Sequence, residues 1–255
     1  MNLTLLQYRI AFENPELNIA TIERLLNLVE TPDLIVLPEM FTTGFSMNTA
    51  QYAENMNGKS VNWMVQKAAL LNTTIIGSLI IEENGKYYNR LVAAHSNGNI
   101  QYYNKRHLFR MGEENNHYTA GNNRIILDIA GFRICPLICY DLRFPVWSRN
   151  TDNFDMLVYV ANWPSVRADV WNTLLKARAI ENQCYVAGVN CTGTDGNNIL
   201  YKGECQIINA KGQYIKNPET RDECVISTTL SISELQDFRK QFPVLLDRDS
   251  FNIIA

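Results

Sequence analysis

The chain has 255 residues, of which 46% are hydrophobic and 19% are charged, and its formal net charge is -3. These proportions are typical of one large or two small globular domains with a sizeable core, and they exclude a disordered chain. Charges of both signs are mixed without basic runs, so the sequence predicts neither a nucleic acid nor an anionic membrane as a partner.

Strand-like and helix-like segments alternate from the start of the chain. "LTLLQYRI" predicts a strand, and Pro15 opens a helix toward Val29. "LIVLP" predicts a buried strand, and a helix follows over residues 60 to about 71. The next predicted strands, joined by Gly-containing turns, are "TTIIGSLII", "KYYNRLVAAHS" and "GNIQYYNK".

The second half of the chain continues this alternation. "RIILDI" and "FRICPLIC" predict a hairpin, in which Pro136 is expected at a strand start or a bulge because it lacks an N–H. "DMLVYVAN" predicts a strand, and Ser165 is expected to cap a helix running to about Asn182. Four strands complete the chain, in "CYVAGVNCTG", "GECQIINA", "GQYIK" and "ECVISTTL". Without a repeat or linker, we expect one domain, 1–255, with a layered α/β fold.

Cysteine usage and the N-terminal residues predict a cytoplasmic protein. The six cysteines lie within apolar, strand-like runs, which favours free thiols in a reducing compartment. "MNLTLLQYRI" has no basic n-region, and no stretch approaches the roughly 18 apolar residues of a membrane span. The three histidines show no metal-ligand spacing with the cysteines, so no metal is expected.

Three polar residues stand directly after predicted buried strands. Glu39 follows "LIVLP", Lys105 ends "IQYYNK", and Cys139 ends "CPLIC". One charged residue at a strand end is ordinary, but these three have complementary chemistry as base, cation and nucleophile. We therefore expect them to form a catalytic site.

Three segments that contain these residues resemble the signatures of the carbon-nitrogen hydrolase (nitrilase) superfamily. They are "LPEM", "NKRHLF" and "CYDLRFP", and the resemblance extends through "ANWP" and "LLKARAIENQCYVAGVN". It implies a four-layer α-β-β-α sandwich, a Glu39, Lys105 and Cys139 triad, no cofactor, and a homodimer or higher homo-oligomer. The resemblance also implies a second glutamate, which is Glu113 or Glu114; alignment on the downstream Gly121 favours Glu114.

The implied reaction is amide hydrolysis through a thioester of Cys139. Dividing the reaction through a covalent intermediate eases attack on a poor electrophile, with Glu39 moving the proton. Lys105 and the N–H of Tyr140 are expected to stabilise the oxyanion. Asp141 and Arg143 are expected to pair and hold the loop.

The flanking segments suggest a substrate. "HLFRM" and "CYDLRFPVW" resemble the omega-amidase branch, whose substrates are monoamides of 2-oxo dicarboxylic acids such as 2-oxoglutaramate. Arg110 or Arg143 is expected to bind the distal carboxylate, although for Arg143 a salt bridge within the protein is favoured. Trp163 is expected to line the pocket.

Three alternatives remain open from the sequence. Another hydrolase of the superfamily, acting on an N-carbamoyl amine, a nitrile or a modified-glutathione amide, would keep the triad. A non-catalytic binding protein would share the fold. An unrelated Cys-His hydrolase would need a histidine beside Cys139, for which His107 is the candidate.

In "VWNTLLKARAIENQ", Arg178 and Glu181 are expected to form an i,i+3 pair with a structural role. Residues 167–182 and "FPVLLDRDSFNII" are expected to offer apolar residues for assembly.

Overall fold

Two six-stranded β-sheets form the centre of the protein in the computed structural model, which describes residues 1–253. In chain order the strands are β1 (Asn2–Gln7), β2 (Leu34–Val36), β3 (Thr74–Glu83), β4 (Lys86–Ala94), β5 (Ile100–Asn104), β6 (Leu127–Ile129), β7 (Phe132–Ile138), β8 (Met156–Ala161), β9 (Tyr185–Asn190), β10 (Thr192–Thr194), β11 (Leu200–Lys202), β12 (Cys205–Ile208), β13 (Tyr214–Glu219) and β14 (Cys224–Thr229). The helices are α1 (Pro15–Leu26), α2 (Thr49–Tyr52), α3 (Lys59–Leu71), α4 (Glu114–His117), α5 (Ala168–Asn182) and α6 (Ile232–Gln241).

Each sheet combines a parallel centre with antiparallel edges. The first sheet has the order β14-β1-β2-β3-β4-β5, with β1, β2 and β3 parallel. The second has the order β13-β12-β9-β8-β7-β6, with β7, β8 and β9 parallel. The ends of parallel strands collect at one edge of a sheet, where layered α/β proteins place functional residues.

Helices cover the outer faces of both sheets. Along β1, Leu3 and Leu5 join a core cluster that includes Leu137 of the second sheet, while Leu6 packs with Ile22 of α1 and the helix α3. On the other side, α5 buries apolar side chains against β9 and β12. The observed layers are therefore α-β-β-α, which confirms the expected fold class.

Local chemistry explains where the outer helices begin and end. Asn14 accepts the Leu17 N–H at 3.1 Å, and Pro15 occupies the first helical position of α1. The helix α3 ends at Leu71 and is capped by Asn72, whose φ of 48° is tolerated by asparagine. The sequence analysis did not predict α6, where the Ser231 side chain accepts the Glu234 N–H at 3.3 Å.

Two predictions about local structure are wrong. Ser165 makes no side-chain cap, since residues Ser165–Arg167 form a 3-10 turn and the α-helix begins at Ala168. Pro136 lies inside β7, paired in regular register with Val158. It is tolerated because β6 pairs only with residues 132–134, so that β7 has an open edge beside Pro136. Within residues 1–253, no helix is long and apolar enough to cross a membrane.

Candidate active site

The three residues predicted at strand ends meet at the junction of the two sheets. Glu39 follows β2, Lys105 follows β5 in the same sheet, and Cys139 follows β7 in the other sheet. Lys105 Nζ lies 2.8 Å from Glu39 Oε1, and both side chains are fully buried. Cys139 is partly exposed because it lines a cavity.

Glu114, and not Glu113, completes the ion-pair network. Lys105 Nζ lies 3.0 Å from Glu114 Oε1 and 2.9 Å from Glu114 Oε2. The Phe109 N–H donates to Glu114 Oε2 at 2.6 Å. Glu113 instead lines the cavity, and its backbone adopts the left-handed conformation with a φ of 58°. The geometry therefore agrees with the alignment on Gly121 that favours Glu114.

Two asparagines that the sequence analysis did not single out hold the carboxylates. Asn89 Nδ2 donates to Glu39 Oε1 at 2.8 Å and to Glu114 Oε1 at 3.0 Å. The Asn162 N–H donates to Glu39 Oε2 at 2.8 Å. A polar residue inside the apolar run "YYNRLVAA" is a signal that would have found Asn89. We call Glu39, Lys105, Glu114 and Asn89 the buried cluster.

Burial and charge set the protonation of these groups in opposite directions. Burial would lower the pKa of Lys105, but the charges of Glu114 and Glu39 outweigh it and raise this pKa, so the ammonium form persists. Burial raises the pKa of the Cys139 thiol well above its ordinary value; the Glu39 charge adds to this rise and Lys105 opposes it. Cys139 is therefore a thiol at rest and needs a base when it reacts.

The turn after β7 presents the thiol and a backbone donor together. Cys139 has a φ of 42° and begins a 3-10 turn that extends through Arg143. The Tyr140 N–H lies in the first turn, where a helix offers no acceptor of its own. The arrangement can therefore deliver a nucleophile and an oxyanion donor to one carbonyl group.

Asp141 fixes this turn, but its partners are not the predicted ones. Asp141 Oδ2 accepts a hydrogen bond from the Tyr103 hydroxyl at 2.7 Å. Asp141 Oδ1 accepts two from His107, one from its backbone N–H at 3.1 Å and one from its Nδ1 at 2.8 Å. The expected Asp141–Arg143 pair is wrong because these distant residues satisfy the carboxylate. The His107 ring also stacks on the Phe144 ring, with 3.7 Å between the ring centres. The imidazole therefore binds Asp141 and Phe144 of the turn and is not placed as a base for Cys139.

The predicted Arg178–Glu181 pair is present at 3.0 Å. Arg178 Nη2 also donates to the Leu142 carbonyl at 2.6 Å, so the helix α5 supports the same turn from below. This buried contact gives Arg178 the structural role that the sequence predicted.

A cavity of about 680 Å³ opens beside Cys139. Trp163 lines it as expected, Tyr140 and Arg143 line it as well, and the Arg143 guanidinium carbon lies 5.4 Å from the centre of a Trp163 ring. Arg143 has no hydrogen-bond or ion-pair partner among residues 1–253, contrary to the salt bridge favoured for it. Arg167, which the sequence analysis missed as a cavity residue, lies with its guanidinium carbon 5.4 Å from the Phe109 ring.

Arg110 does not line this cavity. It begins a short 3-10 turn and its side chain is exposed, while its neighbours Phe109 and Met111 face the cavity. The expectation that Arg110 binds a substrate carboxylate is corrected accordingly.

As for metals, residues 1–253 contain no group of three His, Cys, Asp or Glu side chains placed to hold an ion.

Comparison with known proteins assigns this chain to a family. The carbon-nitrogen hydrolase family model matches residues 2–240. The chain belongs to the carbon-nitrogen hydrolase family. It is thus an amide-hydrolysing enzyme of the nitrilase superfamily, in which a Glu-Lys-Cys triad is typical.

Relatives of this carbon-nitrogen hydrolase match it over nearly the whole chain. Omega-amidase YafV of Escherichia coli (strain K12) is 43% identical over 253 residues, which cover 99% of this chain and 98% of that protein. The 2-oxoglutaramate amidase of Bacillus subtilis (strain 168) is 34% identical and covers 95% of each chain. The crystal structure of XC1258 from Xanthomonas campestris, a CN-hydrolase superfamily protein with an arsenic adduct in the active site, has 41% identity, a TM-score of 0.94, and coverage of 99% of this chain and 98% of that one.

Proposed function

We propose that this enzyme is an omega-amidase, which converts the monoamide of a 2-oxo dicarboxylic acid, such as 2-oxoglutaramate, to the dicarboxylate and ammonia. The observation that carries the proposal is the whole-chain similarity to an omega-amidase and a 2-oxoglutaramate amidase. The cavity supports it, because a cysteine beside a buried carboxylate faces the same space as two guanidinium groups.

In the first proposed step, Glu39 accepts the proton of the Cys139 thiol as sulfur attacks the amide carbon. The developing oxyanion is stabilised by the Lys105 ammonium and the Tyr140 N–H. Because the raised pKa of Cys139 keeps the thiol protonated at rest, the proton moves only when the substrate is in place.

In the second step, the tetrahedral intermediate collapses and its C–N bond breaks. Glu39 returns the proton to the nitrogen, which leaves as ammonia, and a thioester remains on Cys139. Glu114 takes no proton in this scheme; through its contacts with Lys105 Nζ it holds the ammonium beside Glu39.

In the third step, water attacks the thioester carbon while Glu39 accepts a proton from it. Collapse of this intermediate breaks the C–S bond, releases the carboxylic acid and restores the Cys139 thiol with the proton from Glu39. One water is consumed and one ammonia is released per cycle, so no cofactor is required.

The distal carboxylate of the substrate is proposed to bind Arg143, with Arg167 as a second cation in the same cavity. A planar guanidinium stacked on an aromatic ring is held in position for a bidentate contact. Three carboxylates line the cavity: Asp195 accepts the Tyr201 hydroxyl at 2.9 Å, Glu13 accepts the Ser46 hydroxyl at 2.6 Å, and Glu113 forms no ion pair with either arginine among residues 1–253. The arginines therefore remain available to an anion.

Ammonia release from a substrate panel tests this function. The panel contains 2-oxoglutaramate, succinamate, a neutral amide of the same length, a nitrile and an N-carbamoyl amine. The two acids are expected to give the highest kcat/KM. A higher kcat/KM with the nitrile, the carbamoyl compound or the neutral amide would contradict the omega-amidase assignment and favour another reaction of the superfamily.

A homodimer or larger homo-oligomer is also proposed. Val166, beside α5, is 86% exposed, and Leu246, in the C-terminal segment, is 84% exposed. Ile254 of that segment lies outside the described residues. Association would remove these apolar side chains from water. Light scattering at micromolar concentration is expected to give at least twice the chain mass, and a monomeric mass with full activity would contradict this.

We propose that the enzyme works in the cytoplasm. All six cysteines are free thiols, and five of them are buried. Free thiols are typical of reducing compartments. Cell fractionation followed by immunodetection is expected to recover the protein with cytoplasmic markers, and recovery with membranes or the medium would contradict this.

A further inference from the structure

Asn89 contacts every other member of the buried cluster, although it carries no charge. Its Nδ2 donates to Glu39 Oε1 at 2.8 Å and to Glu114 Oε1 at 3.0 Å. Its backbone carbonyl accepts the Lys105 N–H at 3.0 Å. The side chain is fully buried in β4, the strand between β3 and β5. One residue therefore joins two carboxylates to the backbone of the lysine that neutralises them.

The orientation of the Asn89 amide is fixed by the two carboxylates. Asn89 Oδ1 is buried and has no hydrogen-bond partner among residues 1–253, which destabilises the fold. Turning the amide over would place this oxygen against the lone pairs of both carboxylates, which is worse. The protein thus gives up one hydrogen bond in order to place two N–H donors between Glu39 and Glu114.

These donors decide which oxygen of Glu39 is open. Oε1 receives both Asn89 Nδ2 and Lys105 Nζ, whereas Oε2 receives the Asn162 N–H. A carboxylate oxygen has two lone-pair positions, so one position remains on Oε2. We propose that Asn89 is a positioning residue, which occupies Glu39 Oε1 so that the Cys139 proton is accepted at Oε2. This inference rests on the proposed role of Glu39 as the base.

Asn89 also favours the ionised form of Glu114. The charged and titratable groups that face Glu39 and Glu114 are Lys105, Cys139, Cys191 and Tyr118. Burial raises the pKa of Glu114, and the hydrogen bond from Asn89 opposes this rise. Loss of the amide donors is therefore expected to favour protonated Glu114, to weaken its hold on the Lys105 ammonium, and to move the acid limb of the pH profile to higher pH.

The pH dependence of Asn89→Leu tests this role. We expect kcat to fall roughly ten- to hundred-fold, which is up to the low end of what a general base contributes, with a smaller change in KM. The acid limb of kcat/KM should move to higher pH. The matched control is Asn18→Leu, because Asn18 is equally buried but donates only to the carbonyls of Ala11 and Thr42. The control should lower stability without moving the limb.

Two further measurements keep the test decisive. The Asn89→Asp side chain has the same shape as asparagine but adds a third carboxylate beside Glu39 and Glu114. Because like charges disfavour ionisation, the acid limb of its kcat/KM profile should move to higher pH, and this can be measured even if the leucine variant does not fold. Alkylation of Cys139 by iodoacetate, followed by mass spectrometry across pH, needs no amide substrate. Slower alkylation near neutral pH in the Asn89 variants is expected. Unchanged limbs and alkylation in both variants would overturn the role of Asn89, whereas wild type that releases no ammonia would overturn only the proposed function.

Discussion

The buried cluster and the wall of the cavity differ in how their charges are satisfied. In the buried cluster, Lys105 lies between Glu39 and Glu114 at distances of 2.8 to 3.0 Å, with no exposed surface. On the wall, Arg143 has no polar partner among residues 1–253 and is exposed to the cavity. The Lys105 ammonium is satisfied by two carboxylates of the protein itself, whereas the open Arg143 guanidinium can be satisfied by a ligand.

This difference separates the chemistry of the enzyme from its choice of substrate. Changes in the buried cluster should alter kcat and stability together, because its members form hydrogen bonds and ion pairs with one another. Changes on the wall should alter KM for charged substrates and leave the fold intact.

The largest effect is expected at the nucleophile. Cys139→Ala should abolish ammonia release, because no thioester can form without the sulfur. In wild type, rapid quenching and mass spectrometry should find the acyl group on Cys139 alone. The control is Cys224→Ala, in β14, which should keep full activity. Turnover by the Cys139 variant at the wild-type rate would contradict the covalent mechanism.

The next largest effect is expected on stability at Lys105. Lys105→Met leaves two buried carboxylates without their cation, which typically costs about 3–5 kcal/mol. Because burial already raises the pKa of Glu114, the folded variant should bind protons more tightly than the unfolded chain, so its deficit should shrink as pH falls. Urea unfolding at several pH values measures this.

Lys67→Met is the matched control for that experiment. Lys67 pairs with Glu23 at 2.6 Å, but the two side chains are 17% and 39% exposed. An exposed pair contributes about 0–1 kcal/mol, so the loss should be small and nearly independent of pH. Equal losses in the two variants would contradict the distinction between the buried cluster and the surface.

A smaller, substrate-dependent effect is expected on the cavity wall. Arg143→Ala should raise KM for the acid substrate about tenfold or more, as expected for the loss of a charge-assisted contact of about 1.5–3 kcal/mol. The same variant should barely affect a neutral amide of equal length. Arg143→Lys keeps the charge but not the planar fork and should fall between.

The smallest effect is expected at Arg110, outside the cavity. Arg110→Ala should leave KM and kcat near wild-type values for both substrates. If Arg110→Ala impaired the acid substrate and Arg143→Ala did not, the assignment of the two arginines would have to be reversed.

The sequence predicted the residues that local patterns can reveal. Glu39, Lys105 and Cys139 each follow an apolar strand, and their complementary chemistry as base, cation and nucleophile allowed their convergence to be anticipated, although Cys139 belongs to the other sheet. The partners of Asp141 could not be, because Tyr103 and His107 lie more than thirty residues away in sequence. Proximity within "CYDLRFP" suggested Arg143 instead.

Arg110 shows the same limit on the cavity side. A strand fixes the direction of its side chains by alternation, but the loop around "HLFRM" contains 3-10 geometry that no simple period describes. A layered α/β fold was predictable because apolar strands and helices alternate along the chain, and the family resemblance implied its four layers. The side chains on irregular turns were not.

The left-handed backbone at Cys139 sets selection for activity against selection for stability. A residue with a side chain at a φ of 42° costs of order 1–3 kcal/mol, and glycine would remove most of that cost. The inactive descendant Cys139→Gly would therefore be expected to outlast Cys139→Ala at high temperature. An evolving lineage that no longer needed catalysis would gain robustness by losing its nucleophile, and would keep the cavity as an inherited binding site.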